Sequence, residues 1–250
     1  QHGDHDMEAV PFEELAGRHL VIEEKMDGAN CGVSFTEDGE LLLQSRGHYL
    51  RGGPRERHFD LLKQWAASRR DDLWFLLGSR YVMYGEWMFA KHTMFYDALP
   101  HYFMEFDVLD RKTGEFLSTP ARDMLLRTAT DFVVPVKVLY TGKLASPAVM
   151  RTLIKTSWFV STDREEWKQH LREAAAAGGE AFDNALQHTD PSELMEGLYV
   201  KWEEGGVVKG RYKFVRDSFT NAILDQEQHW HARPIVPNRL EPGAMERMFA

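Results

Sequence analysis

Short runs in which apolar and polar residues alternate recur along the chain, and blocks with helical spacing separate them. In one such run Cys31, Val33 and Phe35 fall on the same face of a strand. Asp38-Gly39 follows it, and the chain then returns as another apolar run, which is a hairpin pattern. Strands are predicted at residues 19–26, 30–35, 41–45, 81–87, 102–109, 133–140, 197–202 and 207–215. Pro135 makes the sixth an edge or bulged strand.

Helical spacing is clearest in residues 59–68, where Phe59, Leu62 and Trp65 share one face. Thr119-Pro120 is typical of a helix start, with threonine as cap and proline in the first turn. Helices are predicted at residues 12–16, 59–68, 73–77, 119–130 and 217–231, and in a block at about 146–195 whose last helix opens at Asp190-Pro191. Strands that bracket helices without regular alternation predict an antiparallel-rich α+β fold.

Composition limits the cell compartment and the kind of partner. The formal net charge is −9, so a nucleic-acid site must be a local basic patch on an acidic body. Cys31 is the single cysteine, which excludes an internal disulfide and fits a reducing, cytoplasmic location. No apolar run is long enough to span a bilayer, and no secretory signal is visible. We expect no membrane partner.

Three regions are predicted along the chain. Residues 1–10 are expected to be a tag remnant or a disordered start. Residues 11–216 form the main domain, with the helical insert at about 146–195, and residues 217–250 form a short helical tail.

Lys25 has an unusual setting for a surface lysine. It follows an apolar lead-in, lies between the carboxylates of Glu24 and Asp27, and precedes a turn at Gly28. One interpretation is a strand that ends in an exposed charged turn. The other is a nucleophilic lysine held in a pocket at the end of a strand. Four letters recur by chance, so the rest of the chain must decide.

Later stretches carry further polar residues of the types that a nucleotide site needs. In chain order they are Ser45-Arg46, Tyr84-Gly85-Glu86 with FMEFDV close behind, Glu196 to Lys201 (EGLYVK), and the strand VKGRYKF with Lys209, Arg211 and Lys213. The basic residues of that strand are spaced by two, which places all three on one face. A positive row suits a phosphoryl transition state, but a solvated edge strand carries lysines too.

This order of motifs resembles the covalent nucleotidyltransferases, the superfamily of DNA ligases, RNA ligases and mRNA capping enzymes. The resemblance covers about residues 21–214 and begins with the K-x-D-G motif at Lys25. DNA ligases and capping enzymes usually carry arginine where this chain has Asn30, whereas asparagine is typical of the phage-type RNA ligases that seal nicks in duplex RNA. Three further stretches resemble the corresponding parts of bacterial RNA-repair ligases. They are AKHTMFYDALPHYF, RYKFVR and RPIVPN.

The resemblance implies a nucleotidyltransferase (ATP-grasp-like ligase) domain without an OB-fold domain, because the residues after Asp217 are too few for that barrel. It implies an ATP-dependent RNA ligase that joins a 3′-OH to a 5′-phosphate through lysyl-AMP, with Mg²⁺ or Mn²⁺. Such proteins serve RNA repair, and some are fused to a polynucleotide kinase or phosphatase. The alternatives are a DNA ligase, a capping-type enzyme, or a non-catalytic module that binds RNA ends.

Site roles follow from the same resemblance. Lys25 is the nucleophile, Asp27 orients it or binds the metal, and the catalytic basic pair is Arg211 and Lys213, with Lys209/Arg211 as the competing register. Glu86 binds the ribose, Phe106 stacks on adenine unless it is a core residue, and Glu196 holds the metal or its waters. The remaining cofactor-binding residues are Glu23, Glu24, Gly28, Arg46 and Lys209, and the RNA contacts are Asn30, Arg46, Arg51 and Lys91.

The protonation of Lys25 is a separate question. A lysine has a pKa near ~10.4 in water and must be neutral to attack phosphorus. Glu23 and Glu24 push that pKa upward. We expect the metal and the basic strand to supply the opposing charge.

Overall fold

The structure is a computed structural model that describes residues 12–219 and 234–250. All strands in this part of the chain belong to one sheet. They are β1 Leu20–Lys25, β2 Ala29–Phe35, β3 Leu41–Ser45, β4 His48–Tyr49, β5 Tyr81–Trp87, β6 Phe103–Asp110, β7 Glu115–Leu117, β8 Val134–Pro135, β9 Val138–Gly142, β10 Gly197–Glu204 and β11 Val207–Val215. The sheet order is β4-β3-β2-β5-β6-β7-β11-β10-β1-β9, with β8 beside β6.

Every pairing is antiparallel except β6 with β8. The predicted antiparallel-rich α+β fold is therefore confirmed. The described residues hold no second sheet, and so no OB-fold barrel lies among them.

Most of the helices lie in the predicted blocks, whereas those at Pro54–Phe59 and Ala244–Phe249 were not predicted. The helices are α1 Asp60–Ser68, α2 Arg70–Leu77, α3 Thr119–Leu126, α4 Pro147–Thr152, α5 Arg164–Ala177, α6 Phe182–Gln187 and α7 Ala244–Phe249, with 3₁₀ helices at Phe12–Glu14 and Pro54–Phe59. Asp163 caps α5, because its side chain accepts hydrogen bonds from the backbone N–H groups of Glu165 and Glu166.

Two apolar clusters hold these elements together. Leu20 and Ile22 point into the smaller cluster with Leu144, Met150 and Leu198. The larger cluster lies beneath α1, α2 and α5 and includes Trp65, Trp87, Phe103 and Trp167. Because side chains alternate along β1, Val21, Glu23 and Lys25 face the opposite way from Leu20 and Ile22. This alternation carries Lys25 to the polar side of the strand.

Two predictions of local structure are wrong. The predicted strand 133–140 is two strands that join different partners: Val134–Pro135 pairs with β6, and Val138–Gly142 pairs with β1. Proline cannot donate to a ladder, and the chain leaves β6 after Val136 N–H binds the carbonyl of Glu105. No helix follows Asp190-Pro191 either, because the Asp190 carboxylate accepts from the backbone N–H and hydroxyl of Ser192 and forms a turn.

The predicted helix at 119–130 ends earlier, at Leu126. Residues 1–10 and most of the predicted tail helix at 217–231 lie outside the described residues. Residues 234–250 pack closely against the main body. Asn238 is buried, its N–H donates to the carbonyl of Phe89, and its side chain bonds Tyr96 N–H and the carbonyl of Met88.

Candidate active site

Lys25 lies at the end of β1, opposite Gly197 at the start of β10. Gly197 is required there, because a Cβ at this position would lie 2.0 Å from the carbonyl oxygen of Phe214 on β11. The close approach of β11 also positions Glu196, the residue immediately before Gly197. The side chain of Glu196 reaches Lys25. The Lys25 Nζ atom lies 2.6 Å from Glu196 Oε1.

The ammonium of Lys25 sits among carboxylates. Burial lowers the pKa of Lys25, whereas the charges of Glu196, Glu86 and Asp27 raise it. The upward effects together are larger, so the net pKa lies above the ordinary lysine value. Lys25 is therefore protonated in this state. The strongest upward push comes from Glu196 and Glu86, whereas the sequence prediction assigned it to Glu23 and Glu24.

Burial also raises the pKa of the facing carboxyls. Desolvation raises the pKa of Glu86 to about 8 and that of Glu196 to about 7, and the charge of Lys25 partly offsets both shifts. The Oε2 atom of Glu196 is buried and has no hydrogen-bond partner among the described residues. A carboxylate with one oxygen on a lysine and the other unpartnered is poised for a further ligand.

Asp27 holds the loop that follows β5. Its Oδ2 atom accepts hydrogen bonds from the backbone N–H groups of Thr93 at 2.8 Å and Met94 at 2.6 Å, and its own N–H donates to the hydroxyl of Tyr96 at 3.0 Å. Asp27 Oδ1 lies 3.9 Å from His92 Nδ1. Asp27 thus positions the turn after Lys25, which favours an orienting role.

Gly28 and Asn30 lie where β2 runs beside β5. A Cβ on Gly28 would lie 2.8 Å from the carbonyl oxygen of Trp87, so only glycine permits this approach. Asn30 pairs with Glu86 across the two strands, which places both residues on one face. Asn30, the predicted RNA contact, is therefore a direct neighbour of Glu86, the predicted ribose-binding residue.

The basic strand reaches the site through Lys213, and Arg211 follows it on the same face. Lys213 is opposite Tyr199, which pairs with Glu23 of β1, and its positive charge lowers the pKa of Glu86 and of Glu196. Arg211 is opposite Lys201 and lies 3.4 Å from Asp107 Oδ2.

Lys209 is not brought to the site. A bulge interrupts the β10–β11 pairing at this point, and Lys209 Nζ forms an exposed ion pair with Glu115 at 3.0 Å. Lys209 also lies six residues along β11 from the level of Lys25, which is about 20 Å at the usual rise. The geometry therefore favours Arg211 and Lys213 over the Lys209/Arg211 register.

Glu23 joins a buried ionic cluster that sequence reasoning missed. Arg122 of α3 donates to Glu23 Oε1 at 2.6 Å, and Lys201 of β10 lies 3.0 Å from the same carboxylate. Lys201 also lies 3.2 Å from Asp107 Oδ1, and Glu105 of β6 lies 3.6 Å from Arg122 Nε. These ion pairs connect β1, β6, β10 and α3 two residues along β1 from Lys25.

Glu24 does not face the site. It alternates with Lys25 along β1, and its Oε1 accepts a 2.5 Å hydrogen bond from the hydroxyl of Ser157 on the other side of the strand. Burial raises the pKa of Glu24 to about 7. The structure therefore places Glu24 away from the nucleotide position that the sequence predicts.

Phe106 lies at a bulge between β5 and β6, where Tyr84 pairs with Asp107 and Gly85 with Glu105. Its ring is half-buried and meets Tyr199 edge-on, with centroids 5.6 Å apart. Its carbonyl accepts hydrogen bonds from Arg122 and Lys201. The residue is thus held at the edge of the core, and its stacking on adenine stays a prediction.

The predicted RNA contacts outside the site differ in exposure. Arg46 and Arg51 are exposed, and Arg51 N–H is held by Glu56 Oε1 at 3.1 Å. Lys91 instead donates to the carbonyls of His92 at 3.0 Å and His188 at 2.7 Å. The ammonium of Lys91 therefore braces the loop next to Asp27.

Three further observations concern the described residues as a whole. No group of three or more histidine, cysteine, aspartate or glutamate side chains there is arranged to hold a metal ion. A cleft of about 370 Å³ lies between α5 and residues 237–246, and none of the predicted site residues lines it. None of the described helices is both long and apolar enough to cross a membrane.

Comparison with known proteins assigns the class. The RNA ligase family model matches residues 18–215, so the chain belongs to the RNA ligase family. This range contains Lys25, Glu86, Glu196 and the basic strand. None of the curated proteins matches the sequence.

Solved structures of Naegleria gruberi RNA ligase share the fold at 18% sequence identity. A mutant with ATP and manganese has a TM-score of 0.53 over 84% of this chain and 53% of that chain. The ligase with pyrophosphate has a TM-score of 0.55 over 86% and 54%, and a mutant with AMP and manganese has 0.54 over 86% and 55%. The chain thus spans about half the length of the structures it matches.

Proposed function

We propose that this protein is an ATP-dependent RNA ligase that joins a 3′-OH to a 5′-phosphate through AMP bound covalently to Lys25. The observation that carries the proposal is the contact between Lys25 Nζ and Glu196 Oε1, with Glu86 and Asp27 around the same ammonium, inside the region that matches the RNA ligase family. The Naegleria structures with ATP, AMP or pyrophosphate support ATP as the nucleotide.

In the first step, Lys25 Nζ forms a bond to the α-phosphorus of ATP while the bond from that phosphorus to the pyrophosphate oxygen breaks. The ammonium must first lose a proton. Glu196 Oε1, 2.6 Å away and with a pKa raised to about 7, is the nearest base described. Lys213 and Arg211 offer positive charge to the phosphates.

In the second step, the 5′-phosphate of RNA attacks the AMP phosphorus, and the bond to Lys25 breaks. In the third, the 3′-OH attacks that 5′-phosphate and releases AMP. Glu86 binds the ribose hydroxyls and Phe106 packs on adenine, while Asn30, Arg46 and Arg51 contact the RNA end. We leave Lys91 and Lys209 out of these roles, because the first is bonded to two carbonyls and the second is paired with Glu115.

The residues present also fit a divalent metal. Glu196 Oε2 is a buried, unpartnered oxygen beside Lys25, and Mg²⁺ needs few protein ligands when phosphate and water complete its shell. Glu196, with Asp27 beside it, would hold the ion. Mg²⁺ or Mn²⁺ would offset the charge that develops on the phosphates.

We further propose a role in RNA repair in the cytoplasm, in a fusion or partnership with a polynucleotide kinase or phosphatase. The sequence likeness to bacterial repair ligases and the single buried thiol of Cys31 support this setting.

Labelled ATP, GTP and NAD⁺ test the first step. We expect the protein to take up label from ATP with Mg²⁺ or Mn²⁺, and the Lys25→Ala protein to take up none. Label from GTP alone would overturn the proposal. A Lys209→Ala protein serves as the matched control, because it removes a lysine of the basic strand at a distance from the site.

Matched nicked RNA, nicked DNA and single-stranded RNA test the substrate under one set of conditions. We expect nicked RNA to be sealed fastest. A product from DNA alone would contradict the assignment from Asn30.

A further inference from the structure

Trp158 is an exposed tryptophan that the proposed ligation machinery does not use. Its side chain is 61% exposed, which is unusual for the largest apolar residue type. Lys137 Nζ lies 3.5 Å from the centre of its ring system. A lysine over the indole face is a favourable cation–π contact, and it orients the ring.

The backbone around Trp158 is held firmly while its ring faces solvent. Ser157, the residue before it, donates from its hydroxyl to Glu24 Oε1 at 2.5 Å. The carbonyl of Phe159 accepts from Asp97 N–H at 3.1 Å and Ala98 N–H at 3.2 Å. The exposed indole is therefore a fixed surface.

This surface lies at the end of β1 that carries Lys25, on the side of the strand that Glu24 faces. Glu24 immediately precedes Lys25, its N–H donates to the carbonyl of Lys137 at 3.2 Å, and its side chain binds Ser157. Trp158 and Lys137 therefore flank the end of β1 at the edge strand of the sheet. Lys155, three residues before Trp158, is a second exposed cation.

We propose that Trp158, backed by Lys137, is a stacking platform for a nucleobase of the RNA substrate near the junction that is sealed. The proposal rests on the proposed function. A nucleobase presents a flat face that stacks on an exposed aromatic ring, and neighbouring lysines attract the backbone phosphates. An acidic protein needs such local sites to hold RNA, because its overall charge repels it.

The test compares Trp158→Ala, Trp158→Phe and Phe75→Ala for their affinity for nicked RNA by fluorescence anisotropy. Phe75 is the matched control, since it is 87% exposed and lies on α2. We expect Trp158→Ala to weaken RNA binding by about 5- to 150-fold, the range for loss of one stacked base. Trp158→Phe should retain most of the affinity, and Phe75→Ala should match the parent.

Label uptake from ATP separates this proposal from the proposed function, because the first step needs no RNA. If the parent takes up label and seals RNA but Trp158→Ala binds RNA as tightly as the parent, the platform is refuted and the ligase assignment stands. If the parent neither takes up label nor seals RNA, both are refuted.

A photocrosslink locates the contact directly. RNA carrying 5-iodouridine at successive positions around the nick is irradiated with the parent protein, and the crosslinked peptide is identified by mass spectrometry. We expect attachment at Trp158 from a position near the nick. Attachment elsewhere on the protein, with none at Trp158 from any position, would overturn the proposal.

Discussion

Three residues at the centre of the site, Lys25, Glu86 and Glu196, could be predicted from the sequence, because each stands in a short motif at a strand end. Arg122 and Lys201 could not. Each is buried only because carboxylates from other strands surround it. Lys201 lies in the stretch EGLYVK that the sequence singled out, but its own side chain was assigned no role. No sequence pattern indicated that Arg122 is buried, because a single arginine in a short helix is usually exposed.

Glu196 is the residue whose change most directly tests the site. Glutamine keeps its size but cannot accept a proton or bind a cation well. We expect Glu196→Gln to slow transfer of labelled AMP to Lys25 by about 100-fold or more, the usual range for loss of general base catalysis. Glu193→Gln, a half-exposed residue in the same loop, is the control. A rate for Glu196→Gln within about two-fold of the parent would refute its role.

Glu24 affects stability through pH. Its carboxyl has a pKa raised by burial from 4.5 to about 7, so the folded protein binds more protons than the unfolded chain between these values. Its contribution to stability is therefore present below pH 4.5 and is lost as pH rises through 7. The full difference is about 3 kcal/mol as an upper figure.

Glu24→Gln removes that pH dependence and keeps the hydrogen bond from Ser157. We expect the variant to gain stability over the parent as pH rises from 5 to 8, measured by urea unfolding at each pH. Glu37→Gln, at an exposed position, should show the same pH dependence as the parent. Parallel curves for Glu24→Gln and the parent would show that Glu24 does not titrate in this range.

At the level of elements, hairpins were predictable and distant pairings were not. Asp38-Gly39 predicts the β2–β3 hairpin and Gly205-Gly206 predicts the β10–β11 hairpin, since the turn and both strands lie together in the sequence. The split of residues 133–140 between β6 and β1 was missed, because the two partners lie far apart in the chain. The bulge that removes Lys209 from the site was missed for a different reason, because alternation along one strand does not reveal a register shift against its neighbour.

The β10–β11 pair depends on Gly197. Alanine there would place a Cβ 2.0 Å from the carbonyl oxygen of Phe214, a backbone atom that moves only with its strand. We expect Gly197→Ala to lower the free energy of unfolding by about 1–3 kcal/mol and to reduce label uptake, because Glu196 shifts from Lys25. Gly210→Ala on the facing strand meets only the hydroxyl end of Tyr212, so it should cost less. Equal losses for the two variants would contradict this account.

Across the whole molecule, the residues beyond 233 are tied to the active site through Asn238. Its side chain accepts from Tyr96 N–H at 3.0 Å and donates to the carbonyl of Met88 at 2.7 Å, and its carbonyl accepts from the hydroxyl of Tyr102 at 2.8 Å. The hydroxyl of Tyr96 in turn accepts from Asp27 N–H. The sequence motif RPIVPN indicated the family but not this contact, which links positions 142 residues apart.

Asn238→Ala tests whether this link matters for the site. Alanine leaves Tyr96 N–H and the carbonyl of Met88 buried without partners, and each such loss costs about 1–3 kcal/mol. We expect a lower free energy of unfolding, faster amide exchange in residues 88–102, and slower label uptake by Lys25 because Asp27 loses a fixed neighbour. Asn184→Ala, an exposed asparagine in α6, is the control. Reduced stability with an unchanged rate of label uptake would show that the loop is coupled to folding but not to the chemistry at Lys25.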